Sequence, residues 1–197
     1  MNSELIRVRT KHSRDGKTIH IVLVIRTDGK ETEYTINEGT YREIGCPLSG
    51  DTVNSEDLAL ISMRDEERRA RRAALGILGY GDNSEARLKL KLKHHGVRSS
   101  VSEAIAKEMV SLGYINEDRQ ITSLVMKCSE SLLGRRKITA RLIAKGYRKG
   151  DIDRVIDSLV FSGEIDFKKN AKKLIEQKLT APYTKEDVKK LLYKSGY

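Results

Sequence analysis

Cysteine is scarce in this 197-residue chain, where Cys46 and Cys128 stand alone. Two thiols so far apart supply neither a disulfide framework nor the thiolate cluster of a metal site, and they suit a reduced, cytosolic protein. Tryptophan is absent and phenylalanine occurs twice, so ring platforms for unpaired bases would fall to tyrosines such as Tyr80, Tyr114 and Tyr147. No apolar run approaches the roughly 20 residues of a membrane span, and the N-terminus shows no signal-peptide pattern. The residues of catalysis are missing too. Gly79-Tyr80-Gly81 lacks both a preceding strand and a third spaced glycine, so it is not a dinucleotide fingerprint, and no Gly-x-x-x-x-Gly-Lys-Ser/Thr loop occurs. His12, His20, His94 and His95 form no legible constellation with a nucleophile or with each other. No catalytic residue, metal or cofactor is expected, and the chain is not expected to be an enzyme.

Charge is abundant and uneven. The net charge is +10, yet 8 of the 38 Lys and Arg and 10 of the 28 Asp and Glu fall in residues 1–60, which carry −2; the other 30 and 18 give residues 61–197 a charge of +12. A positive field of that size suits nucleic acid or an acidic protein surface.

What the sequence does have is a repeat. Asn83 to Gly96, NSEARLKLKLKHHG, is followed fifty residues on by Arg135 to Gly146, RRKITARLIAKG, and after fifty more by Lys185 to Gly196, KEDVKKLLYKSG. Gly96, Gly146 and Gly196 fall in register, as do Leu92, Leu142 and Leu192, and Leu88, Ile138 and Val188. Apolar residues at i and i+4 followed by Gly describe one buried helix face with a left-handed C-cap. The alternating Leu88 to Lys93 alone would suit a strand, but Leu90 becomes Ala140 and Lys190 in the other copies, so it is not a core position. Three copies at a fixed period predict tandem three-helix repeats in an elongated, curved array.

The chain divides accordingly. Residues 1–54 form an N-terminal β extension with a short helix, 55–117 a lead helix and first repeat, 118–167 a second repeat and 168–197 a truncated third that lacks its final helix. In the extension, strands are expected around Ile6–Arg9, Ile19–Ile25 and Thr32–Ile36, joined by turns at Arg14-Asp15-Gly16 and Asp28-Gly29. Glu38–Ile44, or the longer helix after it, should cover the sheet. Asn54 or Ser55 starts that longer helix, whose charge run Arg64–Arg72 reads as a solvated face and leaves open a break near Arg64. In the first repeat Val101, Ser102, Ile105, Met109 and Leu112 carry the third helix to Gly113. In the second, Asp151 is expected to cap the third helix, a better account of Asp151 and Asp153 than a metal pair.

At these residues the chain resembles a known family. Ala74-Leu75-x-x-Leu78 followed by Ser84-Glu85-x-x-Leu88-x-x-Lys91-Leu92-x-x-x-Gly96 is similar to the first unit of the RecX recombination regulators. Gly113-Tyr114-Ile115-Asn116-Glu117 is similar to the family's link, and Gly134-Arg135-x-x-Ile138-x-x-x-Leu142-x-x-Lys145-Gly146 to its central motif. The resemblance covers about residues 68–197, and its specificity lies in the ordered set at constant spacing. Departures are Gln120-Ile121 where the family commonly has an aromatic-Ala pair, Gly81 in place of an arginine, and the shortened third unit. The resemblance implies a small cytosolic modulator of RecA, most often an inhibitor. It would bind the RecA filament on single-stranded DNA along its groove and restrain ATP hydrolysis, strand exchange and coprotease activity, and so act in recombination, DNA repair and the SOS response.

The fifty-residue period also nominates contact residues. Arg69, Arg119 and Lys169 coincide, as do Lys91 with Arg141 and Arg98 with Arg148; Arg135 and Arg136, next to Gly134, and Arg72 are further candidates. One cation per unit is what a periodic acidic partner, protein or phosphate, would need, although such residues also populate ordinary solvated faces. Two other readings compete: direct DNA binding by the basic array through phosphates, without RecA, and a purely structural helical adaptor. A monomer without membrane contact is expected.

Overall fold

The computed structural model describes residues 3–12 and 18–197. The turn expected at Arg14-Asp15-Gly16 lies outside them. The fold is mainly helical, with a four-stranded antiparallel sheet at its N-terminal end. The chain divides into two compact units, residues 1–76 with 92–105, and residues 77–91 with 106–197.

In the first unit, β1 (Ser3–His12), β2 (Ile19–Thr27) and β3 (Lys30–Asn37) form the expected antiparallel set. The β2–β3 turn is a two-residue one between paired Thr27 and Lys30, with positive φ at both Asp28 (48°) and Gly29 (82°), the geometry that Asp-Gly tolerates. Two features go beyond the sequence pattern. A fourth strand, β4 (Thr52–Val53), pairs with Ser3 and Glu4 and completes the order β3-β2-β1-β4; two residues are too few to show any periodicity. A bulge between Leu5 and Arg7 shifts the phase of β1, so that Leu5 rather than Ile6 enters the core alongside Ile25.

Leu5, Ile21, Leu23, Ile25 and Ile36 make the apolar face of this sheet. It is covered from two helices: Tyr41 and Ile44, from and next to α1 (Glu38–Glu43), and Leu58 and Ile61 from the start of α2 (Ser55–Gly79). α2 begins where Asn54 Oδ1 accepts the Asp57 N–H at 2.8 Å. It then runs unbroken through the charge run, which is made of good helix formers and laced by Arg64–Glu67, Arg68–Asp65 and Arg69–Asp65 ion pairs. That run is not simply a solvated face. Asp65 is buried and accepts the Thr35 N–H at 3.1 Å, while Arg68 Nε donates to the Thr35 carbonyl at 3.1 Å. β3 is an edge strand, and α2 satisfies the outward backbone groups of one of its residues with a carboxylate and a guanidinium.

The repeat helices follow: α3 (Glu85–His94), α4 (Ser99–Ser111), α5 (Glu117–Glu130), α6 (Arg135–Ala144), α7 (Lys149–Phe161), α8 (Phe167–Lys178) and α9 (Lys185–Ser195). Their register is fifty residues to the atom. Val97, Tyr147 and Tyr197 each donate a backbone N–H to the carbonyl of Leu92, Leu142 and Leu192, at 3.1, 3.2 and 3.0 Å. The intervening Gly96, Gly146 and Gly196 are left-handed. Leu88, Leu92, Ile138 and Leu142 are buried, whereas Leu90 is 57% exposed. In the third copy Val188 and Leu192 are only half-buried; α7 packs over α6, whereas α9 packs on α8 and meets the start of α6 through its C-cap. The second unit's core is Ile121, Val125, Ile138, Leu142, Ile152, Ile156 and their neighbours. Asp151 is not the cap of α7. That helix starts at Lys149 with Arg148 in the capping position and no side-chain bond, and Asp151 lies in its first turn.

Candidate functional site

The second unit is built on one contact made twice. At the N-terminus of α3, Ser84 Oγ donates to the Lys145 carbonyl at 2.9 Å, so that the C-cap of α6 sits on the start of α3. A Cβ on Gly146 would lie 2.7 Å from that Ser84 oxygen. Fifty residues on, the C-cap of α9 sits on the start of α6. Gly134 N–H donates to the Ser195 carbonyl at 2.9 Å and Arg136 N–H to the Gly196 carbonyl at 3.0 Å. A Cβ on Gly134 would lie 2.3 Å from the Gly196 backbone. The middle helices of successive repeats are therefore stacked end to start, and the glycines that cap them also let them meet.

Beside the first junction lies a cleft of about 260 Å³ whose wall includes Asp82, Arg87, Lys91, Lys145 and Tyr147. Glu117 reaches back from the link to accept the Glu85 N–H at 2.8 Å, so the start of α3 is already capped by a carboxylate. Tyr147 is buried and its hydroxyl donates to Gln120 Oε1 at 2.9 Å. Burial first, then Asp82 and Glu117, push this phenol up to about 12, so it stays protonated at neutral pH. Sequence reading missed the roles of Gln120, Tyr147 and Glu117. Their signals were the Tyr147–Tyr197 register and the Asn116-Glu117 step of the link. Among the described residues no three His, Cys, Asp or Glu side chains converge as a metal site would require.

The cations nominated by the period divide into two groups. Four are engaged inside the fold. Arg69 pairs with buried Asp65 at 2.9 Å, and Arg98 pairs with Glu66. Arg135 bonds Asp153 and Asp157, which holds its guanidinium pKa up, chiefly through Asp157. Arg136 donates to the Tyr193 carbonyl, with its guanidinium 4.0 Å from the centre of the Tyr193 ring. Arg119, Arg141, Arg148 and Lys169 are exposed, and their side chains have no ion pair among the described residues. Lys91 is half-buried in the cleft, and Arg72 is exposed on α2, lining a groove of the first unit.

Arg69, Arg119 and Lys169 share the register but not their place along a helix. Arg119 and Lys169 are each the third residue of a helix, α5 and α8, and their backbone N–H groups are capped by Asn116 and Asp166 at 3.0 and 2.9 Å. Arg69 lies in the interior of α2, which passes straight through the register where the later units begin a helix. Lys91 with Arg141 and Arg98 with Arg148 do hold equivalent places, the seventh residue of α3 and α6 and the residue preceding α4 and α7.

No family model matches the sequence. The regulatory protein RecX of Caldanaerobacter subterraneus subsp. tengcongensis is 25% identical over 169 residues, which span 85% of this chain and 83% of that protein. A crystal structure of regulatory protein RecX aligns with a TM-score of 0.69 at 21% identity, covering 99% of this chain and 94% of that one, and shows the same fold from the sheet to the last helix. The ordered motifs of residues 74–146, a relative aligned along most of both chains and a shared fold agree: the chain is similar to the RecX regulatory proteins over most of its length.

Proposed function

We propose that this protein modulates the RecA recombinase, most readily as an inhibitor, by binding along the groove of the RecA filament on single-stranded DNA and restraining ATP hydrolysis, strand exchange and coprotease activity. The observation that carries the reading is the repetition of one structural unit with cations held in register on it, in a chain similar to the RecX regulatory proteins. A filament presents the same acidic or phosphate feature at a regular interval, and a repeat protein can meet it more than once. It then biases the filament by binding one of its states better than another. The mechanism is non-enzymatic: the work is differential binding, and no step needs a catalytic group.

Arg119, Arg141, Arg148 and Lys169 are the contact residues favoured by this structure, because a cation already bonded inside the fold has less to offer a partner. The test is ATP hydrolysis by the cognate RecA on single-stranded DNA, titrated with this protein and with Arg141→Glu/Arg148→Glu. Inhibition at concentrations well below that of RecA, lost in the variant, is the expected result. Inhibition retained in the variant would move the contact elsewhere on the protein. No effect of the wild type on RecA would end this reading.

A further inference from the structure

One groove of the first unit gathers cations from both sides of the charge boundary in the sequence, two of them from the net negative residues 1–60. Arg9 and Lys11 of β1 share a sheet face with His20 and Val22 of β2 and with Glu33 and Thr35 of β3, because directly paired residues of antiparallel strands point the same way. α2 contributes the other wall of a groove of about 1190 Å³ with Arg68, Arg71, Arg72 and Leu75. Arg9, Lys11, Arg68, Arg71 and Arg72 therefore line it, and among the described residues of the lining the carboxylate is Glu33, which is bonded to Arg9 at 3.0 Å. Arg68 is fixed in place by the Thr35 carbonyl and Asp65. Lys11 and Arg72 are exposed.

We infer that this groove is a seat for the phosphate backbone of duplex DNA, separate from the repeat cations. Cations two residues apart on one strand face are roughly 7 Å apart, and those four apart on a helix roughly 6 Å. Two such rows, one on β1 and one on α2, track an extended polyanion better than a single small anion. An acidic protein partner is the weaker match, since a protein interface is anchored by an apolar centre. Here the apolar lining among the described residues is Val22, itself buried, and Leu75. A single strand is also the weaker match. Among the described residues no Phe, Tyr or Trp lines the groove and its rings are the imidazoles of His12 and His20, a smaller platform for unpaired bases, whereas a duplex keeps its bases paired and presents phosphates alone.

The test needs no RecA, so its outcome is independent of the function proposed above. Binding of the full chain to a short labelled duplex and to oligo(dT) is followed by fluorescence anisotropy across salt from about 50 to 200 mM. Wild-type protein should bind the duplex more tightly than the single strand. Lys11→Glu/Arg72→Glu should weaken duplex binding by at least about tenfold and make the slope of log K against log salt shallower by about 2. Arg141→Glu/Arg148→Glu should leave duplex binding in place. Far-UV circular dichroism reports the fold of each variant, and Lys11→Ala/Arg72→Ala replaces the reversal if that variant unfolds. Absence of salt-sensitive duplex binding by the wild type, retention of it in both groove variants, or equal affinity for oligo(dT) would each overturn the inference.

Discussion

The two junctions of the second unit occupy the same positions fifty residues apart and solve the same problem differently. Where α6 meets α3, a side chain makes the bond: Ser84 Oγ donates to the Lys145 carbonyl. Where α9 meets α6, the equivalent residue is Gly134, and backbone meets backbone through the Gly134 and Arg136 N–H groups. Removing the side chain lets the helix ends approach until no Cβ fits. The contact, rather than the residue that makes it, is what the repeat preserves. The glycines in register show the same lesson from the other side. Gly96 is left-handed with open space around its missing Cβ, while Gly146 is left-handed and also pressed against Ser84. One sequence feature thus covers a purely conformational requirement at one place and a conformational plus steric one at another.

The sharpest way to break this comparison is Gly134→Ala. Its φ of −76° suits any residue, so conformation alone predicts little effect. The new methyl, however, would stand 2.3 Å from the Gly196 backbone, and neither side is a flexible side chain. We expect a loss of about 3 kcal/mol or undocking of α9, read by urea denaturation and by faster exchange of the Arg136 amide. Unchanged stability would mean that the two helix ends do not meet. The next effect separates Gly146→Ala from Gly96→Ala. Both lose about 1–2 kcal/mol for a left-handed alanine. Only Gly146→Ala also crowds Ser84, so it should exceed the other by about 1 kcal/mol; equal losses would reduce both glycines to caps.

The smallest effect uses the two equivalent N-caps, Asn116 on α5 and Asp166 on α8. The backbone N–H of Lys169, and then that of Lys168, hold the Asp166 carboxyl below its ordinary value. A carboxylate with a depressed folded pKa contributes stability that is present above its unfolded pKa, about 4, and is lost as pH falls through the folded one. Asn116 does not titrate. Hydrogen exchange in this acid range should therefore show the Lys169 amide losing protection before that of Arg119. Asp153, lowered chiefly by Lys149 and further by Arg135, and Asp157, lowered by Arg135, act in the same direction on the α6–α7 contact.

How much was legible depended on distance along the chain. The fifty-residue period, the left-handed glycines, the Asp-Gly hairpin and the helices from α3 to α9 are local matters, fixed by i to i+4 spacing, caps and turn residues. That Leu90 is not a core position follows from its counterparts alone, and the side chain is exposed. The failures were long-range. Arg69 shares the register of Arg119 and Lys169, but the sequence did not show that it lies inside a longer helix, because α2 begins earlier and packs its first turns on the sheet. The capping role assigned to Asp151 failed because α7 starts two residues earlier.

By itself the sequence determined a helical repeat of known period, a β extension before it, and a resemblance to the RecX regulatory proteins. Only the tertiary structure decided which charges are available. Asp65 looked like one acid in a solvated run, yet it is buried against an edge strand thirty residues away. Arg9 and Lys11 lay in a segment of net negative charge, yet strand pairing and α2 gather them with Arg68, Arg71 and Arg72 into one groove. The reason is physical. Helix and turn formation are set by neighbours along the chain, whereas the field at a surface is set by neighbours in space, which strand register and helix packing choose.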